Sequence, residues 1–181
     1  FLNLHNYVQD SDLDNLFFIV DANIYNLYIN SFNDLDNIIV IPPAEESKSL
    51  SYASILIEKL LAIGANKSSY LIGIGGGITC DITGFVASIF MRGINFAFIP
   101  TSLLAITDAS LGGKNGLNFN KIKNIVGTIN EPNFIIIDLS FLKTLEKKEC
   151  CNGFAEIIKH ACVSSSKLFY FLLSFPTLSG I

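Results

Sequence analysis

Short, mostly apolar runs alternate along this chain with segments in which apolar residues recur at helical spacing. The apolar runs have the length of buried strands and cover residues 15–21, 37–41, 70–74, 95–100 and 134–138. The segments with helical spacing cover residues 47–64, 78–91 and 147–173. We expect Ser47 to cap the first of these helices and Gly64 to end it. Buried strands that alternate with helices predict an α/β fold with a parallel sheet.

Polar residues and glycines stand where the predicted strands end. Asp21, Gly75, Thr101 and Asp138 each close or directly follow one of the apolar runs. In parallel α/β sheets, ligands bind at the carboxyl ends of the strands. The segment 110–132 contains glycines, asparagines and lysines with weak periodicity, and it is long for a passive connection. We therefore expect that segment to be a binding loop.

The turn after the third strand has the composition of a phosphate-binding turn. Residues 73–78 read GIGGGI, which matches the pattern G-x-G-x-x-G except at Ile78. Backbone N–H groups of such a turn suit a phosphate, but a purely structural tight turn explains the same residues equally well. Asp81 lies one turn into the following helix, where a carboxylate interacts with the helix dipole or accepts a hydrogen bond from a ligand hydroxyl.

Charged residues outside this turn suggest contacts with an anionic ligand. Lys114, Lys121 and Lys123 lie within ten residues of one another in a chain that has few charges, which predicts a cluster for phosphate or carboxylate. Glu45 and Lys48 have a spacing of three residues, which is also typical of a simple surface pair at the start of a helix.

Glu156, Lys159 and His160 are predicted to lie on one helical face because their spacings are three and four residues. Glu156 and His160 are potential metal ligands, but two ligands form an incomplete site, and the residues alone favour a solvated ion-pair face. The other histidine, His5, lies in a segment that we expect to be frayed. Histidines of this chain therefore cannot complete an ordinary zinc site.

Composition and charge argue against several classes of function. Half of the 181 residues are hydrophobic, 15% are charged and the net charge is −4, so no basic surface for nucleic acid or an anionic membrane is expected. The apolar region 70–91 contains Asp81 and five glycines, which predicts a strand, a turn and a helix and not a membrane span. The four cysteines form no C-x-x-C pair, which favours reduced thiols and a cytoplasmic protein.

The order and spacing of these motifs resemble the 3-dehydroquinate synthase family over about residues 16–171. The matching blocks are GGGxxxDxTGFxAS (75–88), RG (92–93), PTSLLAxxDAS (100–110), GGK (112–114), KN (123–124), DLxFLxTL (138–145) and ExxNGxAExxK (149–159). Cys80 stands where a glycine is usual in the family, and Ser102 stands where threonine is more common.

This resemblance implies a Rossmann-like parallel sheet flanked by helices. It also implies an NAD-binding α/β domain over residues 1–146 and the beginning of a helical second domain over residues 147–181. The chain begins with Phe1 and not with Met, so we expect its N-terminus to be cut. We also expect the rest of the second domain to be missing, and with it the two histidine metal ligands and further Lys and Arg groups of the family.

The resemblance further implies an enzyme of the shikimate pathway that uses NAD and a divalent metal, zinc or else cobalt. Such an enzyme acts as a homodimer and converts 3-deoxy-D-arabino-heptulosonate 7-phosphate to 3-dehydroquinate with loss of phosphate. Positions that match NAD contacts of the family are Asp21, Asn23, Glu45, Lys48, Gly76, Gly77, Asp81, Thr101, Ser102, Lys114, Lys123, Phe141 and Thr144. Positions that match substrate or catalytic contacts are Arg92, Asp108, Lys114, Asn124 and Lys159.

Two of the matched positions carry a more specific expectation. Glu156 matches the one metal ligand that this half of the family's fold provides, and Arg92 matches an arginine that reaches the substrate phosphate in the neighbouring subunit. Two alternatives stay open beside a 3-dehydroquinate synthase: another sugar-phosphate cyclase, and a non-catalytic NAD-binding or dimerisation module. In each case we expect the chain to keep the NAD half-site, with little or no turnover of its own.

Overall fold

A computed structural model describes residues 15–33 and 35–174 of the chain, and His5 lies outside these residues. The strands are β1 (Leu16–Asp21), β2 (Ile38–Ile41), β3 (Tyr70–Gly75), β4 (Asn95–Pro100), β5 (Lys114–Phe119), β6 (Ile122–Ile129) and β7 (Phe134–Ile135). Five of them form a parallel sheet in the order β2-β1-β3-β4-β7, and β5 and β6 form an antiparallel hairpin. The sheet is Rossmann-like, as the sequence predicts.

The helices are α1 (Ala22–Leu27), α2 (Leu50–Ala62), α3 (Gly77–Ile89), α4 (Lys147–Ser164) and α5 (Ser166–Leu173). Short 3₁₀ turns cover Ile29–Phe32, Glu45–Ser47, Phe90–Arg92 and Leu139–Thr144, and a π-turn covers Ala105–Ala109. In the part of the chain that the structure describes, no helix is long and apolar enough to cross a membrane.

Side chains of the sheet alternate between two hydrophobic clusters, one on each face. Phe17 and Ile19 of β1 pack in the cluster that also holds residues of α2 and α3, whereas Phe18 and Val20 pack in the cluster on the opposite face. Every residue of β1 is buried. Burial on both faces explains why the sequence of a central parallel strand is continuously apolar.

The start of α2 differs from the prediction. Ser49, and not Ser47, caps this helix, and its hydroxyl accepts a hydrogen bond from Tyr52 N at 3.4 Å. Ser47 lies in the preceding 3₁₀ turn, where its hydroxyl donates to the Pro42 carbonyl at 3.1 Å. The prediction that Gly64 ends this helix is confirmed, since Gly64 adopts a φ of +88°, which favours glycine.

The segment 110–132, which was predicted to be a loop, forms the β5–β6 hairpin instead. Phe119 pairs with Ile122 across a two-residue turn in which Asn120 and Lys121 have φ angles of 48° and 67°. Two consecutive positive φ angles are typical of the turns that match the twist of a hairpin. The polar residues and the irregular register after Leu117 hide the alternation that would have predicted two strands.

The predicted helical region 147–173 is divided at Ser165 into α4 and α5. Ser165 has an extended backbone, and its hydroxyl accepts a hydrogen bond from Leu168 N at 3.2 Å, so it caps α5. The predicted division of the chain into domains at residue 146 stays a prediction.

Candidate functional site

The carboxyl ends of β1, β3 and β4 bring three of the predicted positions together. The order of the sheet reverses between β1 and β3, because the chain moves from β1 to β2 on one side and then returns to β3 on the other. Such a reversal opens a crevice at the carboxyl edge, where ligands of α/β proteins bind. Asp21 ends β1, Gly75 ends β3, and Thr101 N, just beyond β4, donates to the Gly75 carbonyl at 2.9 Å.

The glycine turn is shaped by a close approach of α3 to β3. A Cβ atom at Gly75 would lie 2.4 Å from Thr79 Oγ1 and 2.9 Å from Asp21 Cβ, so only glycine fits there. Gly76 differs, because a Cβ atom there would meet only Ser102 Oγ, at 3.6 Å. The turn therefore combines one glycine that packing requires with one whose missing side chain leaves space beside Ser102.

The N-terminus of α3 fits a phosphate group. Gly76 precedes the helix, and no side chain of the described residues caps its first-turn N–H groups. The Thr79 hydroxyl is buried without a hydrogen-bond partner among the described residues. Ser102 is half-buried beside the turn, and its hydroxyl accepts a hydrogen bond from Ala105 N at 3.2 Å. Exposed N–H groups at a helix N-terminus form a favourable site for an anion.

Asp21 is fixed at the edge of the crevice by the start of α1. Its carboxylate accepts a hydrogen bond from Asn23 N at 2.8 Å and caps the helix, while the Asn23 side chain is exposed. Burial raises the pKa of Asp21, and the hydrogen bonds from Asn23 and Ile24 oppose that shift.

Asp81 joins three separate segments through one carboxylate. Its Oδ2 lies 2.5 Å from Lys48 Nζ, and its Oδ1 accepts a hydrogen bond from Gly116 N at 3.1 Å. The Lys48 and Asp81 side chains are only 10% and 14% exposed. Burial raises the pKa of Asp81, and the ion pair with Lys48 opposes that shift. The residue therefore does more than interact with the helix dipole, because it holds the hairpin and the start of α2 against α3.

A cleft of about 410 Å³ lies next to this ion pair, and Glu45, Lys48, Asn118 and Lys123 all line it. Asn118 Nδ2 donates to Glu45 Oε1 at 2.8 Å, and Lys123 Nζ lies 3.5 Å from the same oxygen. The hydrogen bond from Asn118 lowers the pKa of Glu45, and Lys123 adds to that shift. The volume falls within the range of small-molecule sites.

Asn118 belongs to the segment 110–132, which was predicted to be a binding loop, but the sequence did not single out Asn118 as a site residue. Asn118 Oδ1 also accepts a hydrogen bond from Asn124 N at 3.0 Å, and Asn124 has a positive φ of 55°. Lys121 lines the same cleft, but Lys114 stands at the opposite end of the hairpin, paired with Ile129. The hairpin thus divides the predicted lysine cluster into two parts.

A second group of side chains combines the π-turn with α4. His160 Nε2 lies 3.4 Å from Glu156 Oε1 and 3.9 Å from Asp108 Oδ1, and potential ligand atoms of all three residues lie within 4.8 Å of one another. Carboxylate oxygens and imidazole nitrogens are ordinary ligands of Zn²⁺ and Co²⁺. The three side chains thus fit a divalent metal. The sequence alone did not predict that Asp108 would lie beside Glu156 and His160.

Packing at Gly153 explains why Asp108 reaches this helix. A Cβ atom at Gly153 would lie 2.5 Å from Leu103 Cβ and 2.7 Å from Leu104 N, so α4 crosses the segment before the π-turn in close contact. Lys159 Nζ forms an ion pair with Glu156 Oε1 in the same group. The hydrogen bond from Lys159 to Glu156 raises the pKa of Lys159, and the attraction between their opposite charges adds to that shift.

The remaining predicted positions lie apart from these two groups. Arg92 is exposed and precedes β4, so the length of that strand, about 20 Å, separates it from Thr101. Phe141 is buried in the core with its ring against Tyr28, and the Thr144 hydroxyl lies 2.9 Å from the Tyr28 hydroxyl. The roles of Arg92, Phe141 and Thr144 stay predictions.

Comparison with known proteins agrees with the motifs and the sheet. A family model for the N-terminal part of 3-dehydroquinate synthase matches residues 38–152. The chain belongs to the 3-dehydroquinate synthase family. The 3-dehydroquinate synthase of Saccharolobus solfataricus is 40% identical over 174 residues, which cover 91% of this chain and 49% of that protein. This member of the family thus spans about half the length of the curated relatives it matches.

Solved structures of sugar-phosphate cyclases have the same fold. The 2-epi-5-epi-valiolone synthase of Streptomyces hygroscopicus was solved with NAD⁺ and Zn²⁺ bound, and it is 32% identical to the present chain with a TM-score of 0.83. The match covers 94% of the present chain and 50% of the synthase. A 2-deoxy-scyllo-inosose synthase in complex with carbaglucose-6-phosphate, NAD⁺ and Co²⁺ is 28% identical with a TM-score of 0.77, over 87% and 45% of the two chains.

Proposed function

We propose that this chain is the NAD-binding half of a 3-dehydroquinate synthase, which cyclises a phosphorylated seven-carbon sugar acid with elimination of phosphate. The observation that carries the proposal is the crevice between β1 and β3, where the open N-terminus of α3 lies beside Asp21 and near the Lys48–Asp81 pair. A helix N-terminus suits the pyrophosphate of a dinucleotide, and carboxylates at such an edge suit ribose hydroxyls.

The two groups of side chains would have different roles in such a site, one toward the dinucleotide and one toward the metal. Gly76, Gly77, Ser102 and Asp81 would hold the dinucleotide, and Glu156 would hold a divalent metal. When bound, NAD supplies a reversible hydride acceptor and the metal supplies a Lewis acid. The exposed ammonium groups of Lys114 and Lys159 would hold anionic groups of the substrate and orient it.

A second candidate is another sugar-phosphate cyclase, which the two solved cyclases support through their close structural similarity. The higher identity of the 3-dehydroquinate synthases, 40% against 32% and 28%, favours the first candidate. A panel of heptulose and hexose phosphates, assayed for phosphate release in the chimera described below, separates the two.

Replacement of Gly76 by alanine is expected to weaken NAD binding at least tenfold without loss of stability. The added methyl group meets only Ser102 Oγ at 3.6 Å, which is an ordinary contact, but it fills the space where a phosphate would approach the N-terminus of α3. Calorimetric titration of NAD into the wild-type chain and the Gly76→Ala variant measures the affinity, and thermal unfolding of both chains measures the stability.

The control is Ser54→Thr, which adds one methyl group to an exposed position on α2 and is expected to leave the affinity for NAD unchanged. Equal affinities in the Gly76→Ala variant and the control would show that no phosphate binds at this turn. No saturable binding to the wild-type chain would contradict the proposed half-site altogether.

Turnover is expected only when residues beyond this chain are supplied. We propose this because the chain spans about half the length of its relatives, and because the Asp108 and His160 side chains are 53% and 47% exposed, open to a further partner. A chimera that joins residues 1–174 to the remaining half of the Saccharolobus solfataricus relative is expected to release phosphate from 3-deoxy-D-arabino-heptulosonate 7-phosphate, whereas the chain alone is not. Comparable phosphate release by the chain alone would contradict this expectation.

A further inference from the structure

We propose that Asn118 is a positioning residue of the cofactor site, whose side-chain amide holds the Glu45 carboxylate in the orientation that binds NAD. This inference rests on the proposed function, because Glu45 is the group through which Asn118 acts on the dinucleotide. Asn118 lies on β5 and is not one of the positions that match contacts of the family. Its role is toward Glu45 and not toward the ligand itself.

Asn118 joins three parts of the chain through three hydrogen bonds. Its backbone N–H donates to the Lys48 carbonyl at 2.8 Å, in the segment between β2 and α2. Its Nδ2 donates to Glu45 Oε1 at 2.8 Å, and its Oδ1 accepts from Asn124 N at 3.0 Å. A backbone N–H can only donate, so the oxygen of the amide must face Asn124. The amide nitrogen must then face Glu45, and this fixes the direction of the contact.

Lys123 also contacts Glu45, but it is less able to fix the carboxylate. Its Nζ lies 3.5 Å from Glu45 Oε1, and the side chains of Lys123 and Glu45 are 74% and 45% exposed. An exposed ion pair of this kind contributes little and leaves both long side chains free to rotate. Asn118 restricts Glu45 more, because its own backbone is held by the Lys48 carbonyl and by the pairing of the hairpin.

The amide of Asn118 is neutral, so it orients Glu45 without neutralising its charge. The hydrogen bond from Asn118 is the main cause that lowers the pKa of Glu45, which keeps the carboxylate ionised at neutral pH. Asn118 and Lys123 both contact Oε1, so Oε2 can accept a hydrogen bond from a hydroxyl group of the dinucleotide. The other charged groups near this carboxylate are Glu46, Lys48 and Lys121, which line the cleft, and Asp81, which pairs with Lys48.

The test is a calorimetric titration of NAD at pH 8 into the wild-type chain, Asn118→Asp, Glu45→Gln and the double variant. Asn118→Asp keeps the oxygen that accepts from Asn124 N, but it replaces the amide donor by a second carboxylate beside Glu45. We expect it to weaken NAD binding at least tenfold. In the Glu45→Gln background the same change should alter the affinity less than twofold, because the glutamine amide can donate to the new carboxylate.

The pH dependence of the loss separates positioning from a general effect on folding. Two neighbouring carboxylates share a proton as the pH falls, and the protonated one then donates to the other. The NAD affinity of Asn118→Asp, relative to the wild-type chain, should therefore recover at least threefold between pH 8 and pH 5. The matched control is Asn152→Asp on α4, since the exposed Asn152 Nδ2 also donates to a carboxylate, Glu149 Oε1, at 3.3 Å. This control should leave the affinity for NAD unchanged at both pH values.

Each outcome decides the proposal. Equal losses from Asn118→Asp in both backgrounds, or equal NAD affinities of Asn118→Asp and Asn152→Asp at pH 8, would show that Asn118 does not act through Glu45. Thermal unfolding shows whether each variant is folded. If Asn118→Asp is not, Asn118→Ser removes the amide without adding a charge, and an affinity within threefold of the wild-type value would overturn the proposal. A wild-type chain without saturable NAD binding overturns the proposed function together with this inference, whereas NAD binding that Asn118→Asp leaves unchanged overturns this inference alone.

Discussion

The Lys48→Met variant is expected to lose about 3–5 kcal/mol of unfolding free energy at neutral pH, which is the scale of breaking a buried ion pair by removal of one partner. Lys48 and Asp81 are 10% and 14% exposed, so water cannot replace the missing ammonium well. Of the two contacts of its carboxylate, Asp81 keeps only the hydrogen bond from Gly116 N at 3.1 Å, which stabilises the buried charge in part. Urea unfolding followed by circular dichroism measures the loss.

The loss of unfolding free energy is expected to depend on pH, and the pKa of Asp81 determines whether it grows or shrinks as the pH rises. Burial already raises the pKa of this carboxyl above its ordinary value of 3.8, and removal of Lys48 takes away the contact that opposes the shift. A folded-state pKa above the unfolded value means that stability is fully present below the unfolded pKa and is lost as the pH rises through the folded one. The difference between the variant and the wild-type chain should therefore be small near pH 3 and should grow toward neutral pH.

Two further variants show whether the unpaired charge is the cause. Lys59→Met removes an exposed lysine from α2 and is expected to change the unfolding free energy by less than about 0.5 kcal/mol. The double variant Lys48→Met with Asp81→Asn removes the buried charge and is expected to recover most of the lost stability. A double variant as unstable as Lys48→Met alone would show that lost packing, and not charge, explains the effect.

The sheet could be predicted from the sequence because its central strands are buried on both faces. The short apolar runs within 15–21 and 95–100 have the length of buried strands, and the structure places strands at Leu16–Asp21 and Asn95–Pro100. The edge of the sheet was less predictable, since β7 contains only Phe134 and Ile135 of the predicted run 134–138. An edge strand pairs on one side only, so apolar composition does not fix where its pairing ends.

The contacts of the site could not be predicted because they join residues that are far apart in the sequence. The sequence paired Lys48 with Glu45, three residues away, and nothing in the segment around Asp81 indicates that its partner is Lys48. Asp108 meets Glu156 because Gly153 lets α4 approach Leu103, a contact that depends on tertiary packing. The motifs therefore predicted which residues are candidates, while the packing of α3 and α4 determines which of them meet.

The packing of the β5–β6 hairpin against α3 also depends on residues that are far apart in the sequence, and Gly84 of α3 limits how closely the two approach. Gly84 faces Asn115 of β5, and a Cβ atom at Gly84 would lie 1.9 Å from Asn115 Oδ1 and 2.5 Å from its Cγ. Asn115 is buried, and its Nδ2 donates to the carbonyls of Gly113 and Asn130 at 3.0 and 2.9 Å. The side chain cannot move aside without loss of these hydrogen bonds.

The Gly84→Ala variant is accordingly expected to lose about 3 kcal/mol of unfolding free energy, the upper part of the usual range for overpacking. Asn115→Ala alone is also expected to destabilise the chain, since it removes the hydrogen bonds from Asn115 Nδ2 to the Gly113 and Asn130 carbonyls. In the double variant the added methyl group occupies space that Asn115 has left, so the combined loss should fall short of the sum by at least about 1 kcal/mol. Strictly additive losses would show that Asn115 does not limit the approach of α3 to the hairpin. A coupled result would explain the glycine at this position, because the same approach brings Gly116 N within reach of Asp81.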